Sequence, residues 1–185
     1  MRRSFLAVSV LSLSAALPAH ADDVTDALQN AITSYEEGDI GYAMEELDYA
    51  KQLMASMKAD ALTGFLPEAP DGWTREVNTE MGAGLAMMGG GTGAEADYSS
   101  DSGSFTITLM ADNPMVAGMA AALGNAGAMG AKIERVGREK FMVQDSEITG
   151  LIDKRILVQA KGDDIDMMLD LLKSMDFKSL ADFGR

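Results

Sequence analysis

The chain of 185 residues carries 29 acidic side chains against 15 Lys and Arg, one His and no Cys, for a formal net charge of −14. An apolar fraction of 47% is that of a globular chain and too high for a disordered one. Such acidity sets the protein against nucleic acid and anionic lipid, whose phosphates it repels, and without Cys it has neither disulfides nor a lipoprotein anchor.

The N-terminus predicts a secretory signal peptide over residues 1–21. Arg2 and Arg3 form a basic start, an apolar stretch runs from Phe5 to Leu17, and Ala19-His20-Ala21 follows Pro18 as a small-x-small cleavage site. The stretch is too short for a membrane anchor. Arg2-Arg3-Ser4-Phe5-Leu6 also fits the twin-arginine pattern R-R-x-F-L. The basic region is minimal and lacks the preceding polar residue, so the general secretory route is expected, with the periplasm as destination and no stable membrane anchor after cleavage. His20 leaves with the signal. The mature chain then has neither His nor Cys, which removes zinc sites of nitrogen and sulfur ligands and Ser-His-Asp or Cys-His catalysis. Asp, Glu, Lys, Ser, Thr, Tyr and Met remain.

Residues 22–66 predict a helical hairpin. Val24, Ala27, Leu28, Ala31, Ile32 and Tyr35 keep the spacing of one apolar helix face, with Asp23 as its N-cap. Gly38 stops this helix and Asp39 caps the next, which places Ile40, Ala43, Met44, Leu47, Ala50, Met54 and Met57 on one face. So short a turn makes the pair antiparallel. The pattern is like a single tetratricopeptide-type unit, and no second copy follows. Its apolar face must dock on the rest of the chain or on a partner.

Residues 67–72, Pro67-Glu68-Ala69-Pro70-Asp71-Gly72, form a linker or sharp corner. Trp73 follows, either as a plug at the edge of a core or as a contact for a ligand or partner. Residues 73–185 read as an α+β domain, an antiparallel sheet with helices on one face. Ser104–Met110 alternates as a strand, and Asn113-Pro114 opens a helix through Met115, Val116, Met119 and Leu123. Strands over Lys132–Val136, Lys140–Gln144, Glu147–Ile152 and Arg155–Ala160 form a meander with tight turns. A closing helix begins near Asp163 and Asp164.

The hairpin, Leu66-Pro67-x-x-Pro70-x-Gly72-Trp73, the Gly-rich run, Asp112-Asn113-Pro114-Met115 and Met175-Asp176-Phe177-x-x-Leu180 together resemble an uncharacterised family of small exported proteobacterial proteins. The second half is similar to the Mog1/PsbP-like α+β fold. The resemblance implies a scaffold for binding and carries over no catalytic residue.

The segment 81–93 is rich in Gly and Met. It lacks the G-K-[ST] ending and the G-x-G-x-x-G context of phosphate loops, so no nucleotide cofactor is expected. It reads as a mobile loop whose Leu85, Met87 and Met88, with Trp73 nearby, are the candidate partner contacts. Met81, Met87 and Met88 are candidate thioether ligands for a soft metal such as Cu(I), with Met110, Met115 or Met119 in support. Lys132, Arg135, Arg138 and Lys140 form a basic cluster suited to an acidic partner or to local ion pairs. The expected function is that of a soluble periplasmic binding or accessory protein, not an enzyme, whose partner is another periplasmic protein. The rival readings are a metal-handling protein using Met and carboxylates, and a small enzyme with a Ser/Lys or Asp/Glu centre.

Overall fold

The computed structural model describes residues 19–78, 81, 85, 90–125, 127 and 130–185. The chain divides into two units, Met1–Leu53 and Met54–Arg185. No helix among the described residues is long and apolar enough to cross a membrane.

The first unit contains α1 (Ala19–Glu36) and the first half of α2 (Ile40–Thr63). Asp23 lies inside α1, which begins before it, and so does not cap the helix as its sequence position suggests. Gly38, at φ 87°, ends α1 in the left-handed conformation that glycine adopts without a Cβ penalty. Asp39 then caps α2, its Oδ1 accepting the Tyr42 N–H at 3.0 Å. Within the first unit the buried positions on the two helices are small ones: Ala27, Ala31 and Ser34 on α1, and Ala43 and Ala50 on α2. Small side chains at a helix contact allow a close approach. The larger members of the same periodic pattern, Leu28, Ile32, Tyr35, Ile40, Met44 and Leu47, are 37% to 68% exposed. The apolar stripe is thus wider than the surface that is covered.

The second unit is built on one antiparallel sheet. Its strands are β1 (Thr74–Asn78), β2 (Thr92–Ser100), β3 (Gly103–Ala111), β4 (Lys132–Val136), β5 (Glu139–Gln144), β6 (Glu147–Ile152) and β7 (Ile156–Gly162). Their spatial order is β1-β2-β3-β7-β6-β5-β4. Between β3 and β4 lies α3 (Pro114–Asn125), and α4 (Ile165–Lys173) and α5 (Phe177–Ala181) close the chain. The fold is therefore α+β, a helical pair followed by an antiparallel sheet with helices, as the sequence leads one to expect, but the helices are not all on one face: α4 and α5 cover the core face and α3 the opposite one.

Period-two alternation selects the core face. Ala94, Ala96 and Tyr98 of β2, Phe105, Ile107 and Leu109 of β3, Phe141 of β5, Ile148 and Ile152 of β6, and Val158 and Ala160 of β7 join one cluster with Met168, Leu172 and Leu180 of the closing helices. Leu62, near the end of α2, and Leu66 belong to the same cluster. A Cβ at Gly150 would overlap the ring of Phe141, its cross-strand neighbour, so the glycine makes room for the aromatic. Asp164 and Asp176 cap the last two helices: Asp164 accepts from Met167 N–H, and Asp176 from Lys178 and Ser179 N–H.

The segment after α2 is the sharp corner rather than a free linker. Leu66 and Pro67 are buried, and the Tyr98 hydroxyl donates to the Pro67 carbonyl at 2.6 Å. Burial pushes the Tyr98 phenol up to about 12, so it stays a donor. Trp73 lies half-buried 5.0 Å from the Phe105 ring, which in turn stacks on Tyr98 at 4.9 Å. These contacts are those of an aromatic plugging a core edge.

Where β3 ends and β7 begins, charges gather. Asp112 Oδ1 accepts from Arg155 at 2.8 Å and its Oδ2 from Lys58 at 2.9 Å. Arg155 also donates to the Phe183 carbonyl, and Lys58 sits 5.7 Å from the centre of the Phe183 ring. Partial burial pushes the Asp112 carboxyl up, but the hydrogen bonds and charges of Lys58 and Arg155 outweigh it and leave the pKa lowered. A carboxylate with a depressed folded pKa adds stability above its unfolded value and loses it as pH falls through the folded one. Because the pair is partly exposed, its contribution should be about 1 kcal/mol at neutral pH. Asp112→Asn should therefore lower stability by about that amount at pH 7, and in denaturant titrations the difference from the parent should shrink as pH falls through the lowered folded pKa of Asp112.

Candidate functional site

The face of the sheet turned away from the core is divided in two. One half is polar. Thr108 Oγ1 donates to Glu95 at 2.8 Å and Thr106 Oγ1 to Asp97 at 2.6 Å. Thr149 Oγ1 and Gln159 Nε2 both donate to Glu147, at 2.8 and 2.9 Å. Register explains these contacts: Glu95 pairs with Thr108, Thr108 with Gln159, and Gln159 with Thr149 across four strands. The carboxylates are held by neutral donors that the sheet itself supplies.

The other half is apolar. The register carries Gly93 to Met110, Met110 to Leu157, and Leu157 to Leu151. Leu85, Val116 of α3 and Leu157 are all buried, yet none belongs to the main core cluster. A Cβ at Gly93 would overlap Leu85 and come within 2.8 Å of the Met81 sulfur, so Leu85 and Met81 rest directly on the glycine backbone. Asn113 ties this region together. Its Oδ1 caps α3 by accepting the Met115 N–H at 2.8 Å, and its Nδ2 donates to the Gly90 carbonyl. The Gly90 N–H donates to the Leu85 carbonyl at 2.9 Å.

These contacts correct the expectation of a mobile, partner-facing loop at the residues that are described. Leu85 is 3% exposed and is not available as a surface contact. Thr92 and Gly93 are part of β2. Met87 and Met88 lie outside the described residues. Among the candidate metal ligands, Met81 is half-buried against Gly93, while Met110 and Met115 sit on β3 and α3, half-buried and exposed respectively. Among the described residues, no group of three or more His, Cys, Asp or Glu stands close enough to hold a metal ion.

Beside this small second core a groove opens. Ala120, Leu123 and Gly124 of α3 form one wall, and Ile133 of β4, Met142 of β5 and Leu151 of β6 form much of the other. Its volume is about 560 Å³. Lys140 and Lys154 line it, and Arg135 is the cross-strand neighbour of Lys140. Of the basic residues expected to cluster here, Lys132 pairs with Glu134 at 3.0 Å. Among the described residues no ion pair engages Arg135, Lys140 or Lys154. Sequence reading found Lys140 but not the groove, because the wall supplied by α3 comes from a helix packed across the sheet.

Comparison with protein-family models, with curated proteins and with solved structures finds no match for the chain.

The second core makes a direct prediction. Leu85→Ala should destabilise the protein by about 2–3 kcal/mol, measured by urea unfolding. A residue free in a mobile loop would give no change.

Proposed function

We propose that the chain is an exported, non-enzymatic binding or accessory protein whose partner is another periplasmic protein. The observation that supports this reading most is the exposed apolar surface of the first unit. Leu28, Ile32 and Tyr35 follow one stripe of α1, and Ile40, Met44 and Leu47 follow one stripe of α2. Helical geometry puts both stripes on the same side of an antiparallel pair, flanking the buried alanines. Large contiguous apolar patches on soluble proteins mark sites of interaction. The flexible thioether of Met44 suits an adaptable contact.

Charge narrows the partner. Residues 22–53 contain Asp22, Asp23, Asp26, Glu36, Glu37, Asp39, Glu45, Glu46 and Asp48 against Lys51 as the one base. Lys51 is paired with Asp48 at 2.5 Å. A fitting surface is therefore apolar with a rim of Lys and Arg. The non-enzymatic part of the proposal rests on the outer-face carboxylates. Glu95, Asp97 and Glu147 are each engaged by hydroxyl or amide donors, an arrangement that orders a sheet rather than leaving an acid or base poised for a substrate.

Two measurements test the reading. The double variant Ile32→Ser, Met44→Ser should keep its melting temperature within a few degrees, as expected of surface positions, and should lose cross-linking to its partner in the cell envelope. Unfolding of the variant would assign the face to an internal contact instead. Intact-mass analysis of envelope protein should find Asp22 as the first residue. Retention of residues 1–21 would overturn the periplasmic assignment.

A further inference from the structure

We propose that the groove between α3 and strands β4–β6 binds a single-chain amphiphile with a carboxylate head. Every residue involved belongs to the second unit.

The walls favour an aliphatic chain. Leu123, Ile133, Met142 and Leu151 line the groove with carbon and sulfur, and Ile133 is 39% exposed. A volume of about 560 Å³ falls within the range of small-molecule sites. It would accept an acyl chain of about a dozen carbons, whose methylenes are favoured to leave water.

Charge selects the head group. In a chain with net charge −14, the groove is bordered by cations, and among the described residues no ion pair engages Arg135, Lys140 or Lys154. Lys140 and Lys154 line it, and Arg135 lies beside Lys140 across the β4–β5 ladder. Elsewhere in the second unit basic side chains are commonly paired: Lys58 and Arg155 with Asp112, Arg75 with Glu68, Lys132 with Glu134, Lys173 with Asp170, and Arg185 with Asp153. Lysine stems also shield apolar surface while the ammonium stays in water. An amphiphilic anion uses both properties, its tail under the stems and its carboxylate at the ammonium groups. A cationic amphiphile would meet repulsion at the same place. Glu147, which accepts from the lining residue Thr149 and from Gln159, belongs to the polar half of the face.

The test titrates the full chain with dodecanoate and with dodecyltrimethylammonium, both below their micelle concentrations, by calorimetry and by amide chemical-shift mapping. Dodecanoate should bind with one-to-one stoichiometry and shift amides of Leu123, Ile133, Met142 and Leu151. The cationic analogue, with the same tail, should bind roughly tenfold more weakly or not at all. The double variant Lys140→Glu, Lys154→Glu should weaken dodecanoate by a similar roughly tenfold factor while its melting temperature holds. Met142→Trp should fill the groove and abolish dodecanoate binding with the lysines intact. Equal binding of both amphiphiles, several equivalents per chain, or indifference to the lysine substitutions would overturn the proposal.

Discussion

The pairing of β3 with β7 is the constraint on which the second unit depends. Every other ladder in the sheet joins strands that are neighbours in sequence. The β1-β2-β3 and β4-β5-β6-β7 meanders form locally and become one sheet only where Phe105–Ala111 meets Ile156–Gly162. Both strands are buried at their core-facing positions, with Ile107, Leu109, Val158 and Ala160 fully covered. The join is costly in chain entropy because α3 and three strands lie between its members. It is fastened at one end by the Asp112 N–H on the Arg155 carbonyl, at 3.1 Å, and by the ion pair between the same two residues.

Once the sheet is joined, its two faces divide the work. The core face buries the aromatic and branched residues under α4 and α5. The outer face splits into a polar field of threonines and carboxylates and a smaller apolar field shared with α3, Leu85 and Met81. The groove is the part of that second field that α3 does not fill. It exists because α3 ends over β4–β6, at the edge of the sheet furthest from β1. A site on this edge inherits its geometry from strand register, which holds Met142 opposite Ile133 and Thr149, rather than from a loop.

Much of this was legible in the sequence, and the gaps have physical reasons. Phe105, Ile107 and Leu109 alternate with threonines so regularly that β3 could be placed within a residue at each end, and Asn113-Pro114 marks α3 because cap and first-turn chemistry are local. The tight turns of the β4–β7 meander were visible for the same reason. Strand β2 was not, since Thr92-Gly93-Ala94-Glu95-Ala96-Asp97 is poor in the branched residues that signal a strand. Its alanines are small because Leu62, Leu66 and the aromatics share the same core, a fact of tertiary packing. Gly93 read as loop flexibility, whereas the structure uses its missing side chain as a seat for Leu85. In the first unit, helical periodicity identified the apolar stripe but not how it divides. Ala27 and Leu28 are both apolar, and only the packed helices show that the first is covered and the second exposed.

Cooperative joining through β3 and β7 is tested most directly by native-state hydrogen exchange on the full chain, read residue by residue. The amides of β3 and β7 should exchange only through global unfolding, and those of β5 and β6 should share the same opening free energy as those of β2, because neither meander keeps its core without the other. Exchange of β4–β6 through a separate, lower-energy opening while β2 and β3 stay protected would contradict it. The two meanders would then be independent, and the groove would rest on a body that opens without the rest of the sheet.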